Sequence, residues 1–501
     1  MQSYQVYKNH YIEALNILGE TGFVTEVTPP IVRIKGLPYV KYNEIVYFES
    51  GEMGFVTSLD ADFCEVLVFS RDPIIAGCQV SRSGTTIQLP VGDDYIGKRI
   101  DPLGRSTVSD TYIASNKLSL PIERTAPGLD TREKITRPFE TGVSVVDMMI
   151  PLGCGQRELV LGDRHTGKTE FLLQTLLTQA RKGTLCIYAN IGKKRADIGR
   201  VENFVHNFNL ESNVVIMSTS STDPLGMIYI APYSAMTLAE YFVETGRDVL
   251  VILDDLSTHA KFYREISLIS RRFPGRNSYP GDVFYTHSRL LERAGNFMTK
   301  SGIRSITCLP VADTIESDIS GYIQTNLMSI TDGHVYFDHE LFEQGRRPAV
   351  NYFLSVTRVG RQTQNKIRWG INRELSSFLT LYDKTQRFVH FGAEVNEGIK
   401  TTLSMGARIL TFFDQPMGSI VDQELQIVLF CLIWVGSLTF DSTSKIKYIR
   451  DKAKELYDTN GNFKMMIDRL LSESTDFNSL LGKISSQSKE LTRYLELEKA
   501  R

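Results

Sequence analysis

The chain has no apolar stretch long enough to cross a bilayer. Its longest, Gln426 to Leu438 around Trp434, falls well short of the roughly 20 residues a spanning helix needs and reads as a buried helix. The first twenty residues alternate Tyr, Lys, His and Glu, with neither the apolar core of a signal peptide nor an Arg-rich transit pattern. The cysteines at 64, 78, 154, 186, 308 and 431 form no CxxC pair, which argues against a disulfide framework or zinc site and for a reducing compartment. An excess of either charge is also lacking. With 56 Lys+Arg against 58 Asp+Glu the net charge is −2, which disfavours a globally basic nucleic-acid binder. No internal repeat or low-complexity tract is evident. What remains, 501 residues with 42% hydrophobic and 23% charged, is the composition of a soluble, cytosol-facing protein of roughly two to four domains.

Three textures follow one another. Short β-branched and aromatic runs recur at 22–27, 31–37, 44–49, 54–59, 63–69 and 85–91, separated by turn formers such as Pro29-Pro30, Ser50-Gly51 and Ser83-Gly84. Their even spacing predicts a small six-stranded barrel over residues 1–88. From 89 to 365, apolar strands at 158–163, 184–191, 214–218, 248–255 and 305–309 alternate with helical stretches, notably 169–182 and 237–245. That alternation predicts a largely parallel sheet. Residues 366–501 read as helical: Leu480, Leu481, Ile484, Leu491, Tyr494 and Leu495 recur at three- and four-residue intervals with charges between them, as in a solvated bundle. The fold class expected is therefore multidomain α+β.

The chemistry-bearing signal is Gly162-Asp163-Arg164-His165-Thr166-Gly167-Lys168-Thr169. It fits GxxxxGK[ST], follows an apolar strand and opens a helix, the context in which successive backbone N–H groups and a helix N-terminus face a phosphate together. Lys168 would neutralise the β- and γ-phosphates, and Thr169 would offer its hydroxyl to Mg²⁺. Downstream, Val249-Leu250-Val251-Ile252-Leu253 ends in Asp254-Asp255, carboxylates suited to a Mg²⁺ hydration shell beside such a loop. The ligand expected is ATP or ADP with Mg²⁺.

The loop and its surroundings resemble the alpha subunits of F1-type ATPases and ATP synthases. The resemblance is carried by Pro151-Leu152-Gly153, Gly155-Gln156-Arg157-Glu158-Leu159, Ala231-Pro232-Tyr233-Ser234, Asp254-Asp255-Leu256-Ser257 and Pro280-Gly281-Asp282-Val283-Phe284-Tyr285. His287-Ser288-Arg289-Leu290-Leu291-Glu292-Arg293-Ala294, Ser329-Ile330-Thr331-Asp332-Gly333 and Leu354-Ser355-Val356-Thr357-Arg358-Val359-Gly360 extend it, from about residue 20 to about 440. It implies a β-barrel crown, a RecA-like P-loop domain and a C-terminal helical domain. It also implies a ring alternating with a catalytic beta-type subunit around a gamma-like central stalk, with a stator cap or other motor subunits, at the inner face of the cell membrane.

The resemblance also assigns residues. Catalytic beta subunits carry a water-polarising Glu after the second strand, and here that position is Lys193, within Asn190-Ile191-Gly192-Lys193-Lys194-Arg195. An ammonium cannot take a proton, so the chain is expected to be non-catalytic in its own site. Arg358 matches the arginine finger that reaches into the neighbouring subunit. Phe342, Arg347 and Pro348 match the adenine-side segment. Gln415 matches the first of two purine-contacting glutamines, and Met417 stands in place of the second. His165, Lys193, Met417 and a shorter N-terminal arm depart from the family pattern. The shorter arm, together with divergent C-terminal helices, opens the alternative of an alpha paralogue in a repurposed hydrolytic motor, such as mollicutes use for surface movement. A self-sufficient homohexameric ATPase is a weaker third reading.

Overall fold

The computed structural model describes residues 2–496 apart from 71, 110, 115–117, 391–395, 420 and 439–442. Six strands, β1 (Thr21–Thr28), β2 (Ile31–Lys35), β3 (Glu44–Phe48), β4 (Met53–Leu59), β5 (Cys64–Val68) and β6 (Gln79–Thr86), close a barrel in the order β1-β2-β5-β4-β3-β6. Alternation places Val24, Val32, Ile34, Val46, Phe48, Val56, Val66 and Val80 in its interior. The outer face of β4 and β5 is buried as well, because Phe55 and Leu67 pack with Met227 and Tyr229 of a helix at Leu225–Glu244.

Two features differ from the pattern read in the sequence. The sixth strand runs over Gln79–Thr86, and Gln88–Pro90 is a separate strand paired with Ser119–Pro121. Ser83-Gly84 reads as a turn by composition but lies inside β6. There Ser83, Gly84 and Thr85 bulge opposite Ile45, and Gly84 takes φ +75°. Ahead of the barrel, Gln2–Leu18 forms a helix that has no strand-like pattern. It buries Tyr11 and Ala14, and the Ser81 hydroxyl donates to the Tyr11 carbonyl at 3.1 Å.

The central sheet is built on β7 (Glu158–Gly162), β8 (Leu185–Lys193), β9 (Val214–Ser220), β10 (Val249–Asp254), β11 (Gly302–Asp313) and β12 (Gly333–Phe337). Between edge strands Val356–Thr357 and Arg99–Ile100, the order is β12-β7-β11-β10-β8-β9. Pairing among these six is parallel, and β7 and β10 are buried along their whole length, hence their uninterrupted apolar text. The helix expected from residue 237 in fact begins at Leu225 and continues through Pro232, which lies buried within it. Parallel order brings the C-terminal ends of β7, β8, β10 and β11 to one edge, where sheets of this kind bind ligands.

Helices at Lys366–His390, Glu397–Phe413, Gln423–Trp434, Thr443–Thr459, Gly461–Ser472 and Phe477–Glu496 complete the chain. Leu480, Ile484, Leu491 and Leu495 are buried, while Leu481 and Tyr494 pack partly against the same core, as the three- and four-residue spacing requires. No helix among the described residues is long and apolar enough to cross a membrane, and all six cysteines are free thiols.

The turn after the Val356–Thr357 strand is packed without slack. A Cβ on Gly360 would stand 1.6 Å from the Pro151 carbonyl oxygen, a backbone atom that cannot rotate away. Gly360→Ala is expected to cost about 1–3 kcal/mol of stability through overpacking, measured by urea titration; an unchanged midpoint would show that the turn yields freely.

Candidate functional site

The glycine-rich 162–169 loop spans the gap between β7 and a helix at Lys168–Arg181. Gly167 caps that helix at φ +96°, a left-handed conformation that costs glycine little. Gly162 has no room for a side chain, since a Cβ there would lie 2.4 Å from the Phe337 carbonyl oxygen. His165 takes φ +64° at the exposed crest of the loop. The loop is braced from within. Thr166 Oγ1 donates to the Asp163 carbonyl at 2.8 Å, and the Asp163 carboxylate accepts from the Ser317 backbone N–H at 2.9 Å and from the Thr314 hydroxyl.

Lys168 folds over this loop. Its Nζ donates to the carbonyls of Gly162 (2.7 Å) and Asp163 (2.6 Å) and pairs with Asp313 at 3.1 Å. Arg164 meets the same carboxylate at 3.2 Å. Burial pushes the Asp313 carboxyl up, but Lys168, Lys193 and Arg164 outweigh it and hold Asp313 below the usual carboxylate range. The first-turn N–H groups of a helix have no intrahelical acceptor and are open to an anion. The geometry is that of a phosphate cradle whose lysine is parked on backbone carbonyls.

Opposite the loop, β10 ends in Asp254, and Asp255 caps the helix Leu256–Ile269 by accepting the Thr258 N–H at 2.5 Å. Asp254 accepts from the Tyr188 hydroxyl at 2.8 Å. Lys193, at the end of β8, places Nζ 2.6 Å from Asp254 and 2.9 Å from Asp255. Burial opposes its charge, yet Asp255 and Asp254 together raise its pKa above the ordinary lysine value. Lys193 is therefore a fixed ammonium.

His165, Lys168, Thr169, Lys193, Asp254 and Phe342 line one cleft of about 1160 Å³, more than a nucleotide-sized ligand requires. Arg347 stacks its guanidinium 3.6 Å from the centroid of Phe342 and donates to the Phe342 carbonyl at 2.8 Å, with Pro348 following in a cis peptide. Gln415 is tied to that segment by its backbone, whose N–H donates to the Arg347 carbonyl at 2.6 Å. Its side chain turns elsewhere: it accepts from the Ser144 N–H (3.0 Å) and hydroxyl (3.1 Å) and donates to the Gly142 carbonyl at 2.7 Å. Met417 is 45% exposed, and neither it nor Gln415 lines the cleft. Asp313 and Thr258 also line the site, although no motif in the sequence marks them, and so does Asn190 at the head of the Lys193 stretch.

Arg358 is exposed and lies outside this cleft, just past the Val356–Thr357 edge strand. Its N–H donates to the Asp332 carbonyl at 2.9 Å, and the Asp332 carboxylate is gripped by Arg157 at 3.0 and 2.7 Å. Among the described residues the guanidinium donates one long hydrogen bond, 3.4 Å to the Thr331 carbonyl. Arg358 thus has an anchored backbone and a side chain that does not line the chain's own cleft.

Behind Asp255, His259 and His287 are fully buried and share a hydrogen bond of 3.2 Å. Burial lowers His259 to about 4, and burial plus the neighbouring imidazole lowers His287 to about 3. Unfolded histidine takes its proton near pH 6.5, so the stability this pair supplies is present above that value and is lost as pH falls from about 6.5 toward about 4. Buried Asp147, raised to about 7, works in the opposite direction. Comparison with His287→Gln isolates the histidine share: the wild type should lose about 2 kcal/mol more than the variant between pH 7 and pH 5, by denaturant titration.

The geometry agrees with comparisons against known proteins. Residues 142–357 match the family model described as the ATP synthase alpha/beta family, nucleotide-binding domain. The chain is 40% identical over 414 residues to ATP synthase subunit alpha 2 of Nitrosospira multiformis, covering 82% of this chain and 81% of that protein. It is 38% identical over 468 residues to ATP synthase subunit alpha of Mycoplasmoides gallisepticum, covering 92% and 90%. With ATP synthase subunit alpha of Lactobacillus acidophilus the identity is 35% over 484 residues, 96% of each chain.

Proposed function

The chain belongs to the ATP synthase alpha/beta family as an alpha subunit, and on that premise we propose that it is a nucleotide-binding, non-catalytic member of a rotary ring. In this reading it binds ATP or ADP in the cleft between the 162–169 loop and Asp254. It alternates with a catalytic beta-type subunit around a central stalk, on the cytoplasmic side of the membrane, and lends Arg358 to its neighbour's site.

The observation that carries the non-catalytic assignment is Lys193. Hydrolysis needs a group that accepts a hydrogen bond from the attacking water and draws its proton away. Lys193 stands at the strand end where that group is expected, and its ammonium is fixed between two carboxylates. It can donate but not accept. Lys168 would leave the Gly162 and Asp163 carbonyls for the phosphates, while the loop amides hold them. Phe342 and Arg347 form a flat, polarisable wall on which a base can stack.

Magnesium accompanies nucleotides in P-loop sites, where it neutralises phosphate charge. The Thr169 hydroxyl fits such an ion. The two carboxylates fit it less well, because all four of their oxygens already accept from Lys193, Tyr188 or Thr258.

For Arg358, support comes from its position: an anchored arginine beside the sheet edge serves a neighbouring site better than its own. The test is turnover by the isolated full-length chain. It should retain ATP in equilibrium dialysis and release no phosphate above background, whereas steady hydrolysis lost on Lys168→Ala would replace this reading with a self-sufficient ATPase.

A further inference from the structure

Every oxygen of the Asp254–Asp255 pair already accepts at least one charged or polar donor. Asp254 Oδ1 meets Lys193 Nζ and Oδ2 meets the Tyr188 hydroxyl, while Asp255 Oδ1 takes the Thr258 N–H and Oδ2 takes Lys193 and the Thr258 hydroxyl. The two carboxylates are nearly sealed, 9% and 3% exposed at their side chains, and Lys193 is 21% exposed, with its charge facing the cleft. Its placement is built into the fold. β8 shifts register between Asn190 and Lys193, Gly192 turns at φ +61°, and the Lys193 carbonyl accepts the Ser221 N–H at 2.9 Å. A hydrated divalent ion seeking these carboxylates meets a cation already there, joined to the backbone and held by two charge-assisted bonds of the strong class.

We propose that Lys193 is a tethered cation that displaces magnesium from this nucleotide site, so that the chain binds nucleoside triphosphate with little dependence on magnesium. The inference rests on the reading that the cleft binds nucleotide and goes beyond it in assigning the counter-charge. Lys193 lines the same cleft as Lys168 and the helix N-terminus, so a phosphate chain bound there would lie within reach of its charge. Lys168 and Lys193 then place one ammonium on each wall of the phosphate site. The same substitution that withholds a water-activating group thus supplies a charge that does not dissociate. A site so arranged retains nucleotide as free magnesium falls.

The test is calorimetric titration of ATP into the full-length chain with excess magnesium and again with excess EDTA, for wild type, Lys193→Gln and Lys193→Arg. Expected is less than about a threefold change in wild-type affinity between the two conditions, the same for Lys193→Arg, and at least a tenfold gain from magnesium in Lys193→Gln. A wild-type loss of tenfold or more in EDTA overturns the proposal while leaving the nucleotide reading intact. Absence of ATP binding in both conditions overturns the nucleotide reading itself, and the proposal with it. Melting without nucleotide gives a second measurement. Lys193→Gln leaves two buried carboxylates facing each other and should melt lower in EDTA and recover with magnesium, whereas the wild type should not respond. An equal magnesium response in both proteins would contradict the tethered-cation role.

Discussion

Replacing Arg358 by Ala should lower ATP hydrolysis by the assembled ring by about 10³ to 10⁵, the range of arginine fingers, and leave ATP binding by the isolated chain unchanged. The split follows from placement. Arg358 does not line its own cleft, and among the described residues its guanidinium donates one long hydrogen bond, so truncation removes few contacts from the folded chain. On the proposed reading, what it removes is a cation at the neighbour's γ-phosphate, felt only as charge spreads in the transition state. The expected signature in a reconstituted ring is a fall in kcat with KM nearly unchanged. Arg358→Lys should recover only a small part, because an ammonium cannot present two parallel donors. A ring that keeps full turnover with Arg358→Ala would place the finger elsewhere.

The second large effect concerns Lys168. Lys168→Ala should weaken ATP binding by the isolated chain by at least about 100-fold, since it removes charge-assisted bonds to phosphate that contribute roughly 1.5–3 kcal/mol each. The substitution also strips Asp313 of its nearest cation and leaves it with Arg164 and the more distant charge of Lys193. The variant's melting point should therefore be compared with wild type without nucleotide, so that a stability loss is not read as an affinity loss. Because the site is assigned no turnover of its own, ring hydrolysis should fall far less with Lys168→Ala than with Arg358→Ala. The reverse order would mean that catalysis runs in this cleft.

Much of the fold and of the phosphate loop is legible in the amino-acid sequence because its signals are local. The strands at 158–162, 185–193, 214–220 and 249–254 lie inside a sheet covered on both faces, so their apolar runs are continuous. The loop between Gly162 and Lys168 is a short motif whose context, strand before and helix after, is itself written in the neighbouring residues. The losses have physical causes too. Pro310 reads as the end of a strand, yet the strand continues through it to Asp313, so the partner of Lys168 escapes a reading by composition. Gly84 reads as a turn but absorbs a bulge, which shifts the sixth strand. Gln415 carries the right residue type in the right segment, yet whether its amide faces the cleft or Ser144 depends on packing between residues 271 positions apart. Lys193 is the converse case. Its identity excludes a base by chemistry alone, but its grip on Asp254 and Asp255 depends on parallel pairing of β8 with β10.

On the proposed reading this chain binds nucleotide without hydrolysing it and completes a neighbour's site. Native mass spectrometry of the purified complex, combined with phosphate release by complex and isolated chain, decides between this and a self-sufficient ATPase. Expected are three copies alternating with three of a P-loop partner that supplies the missing water-activating carboxylate, and hydrolysis only by the complex. A homohexamer of this chain that hydrolyses ATP unaided would contradict it.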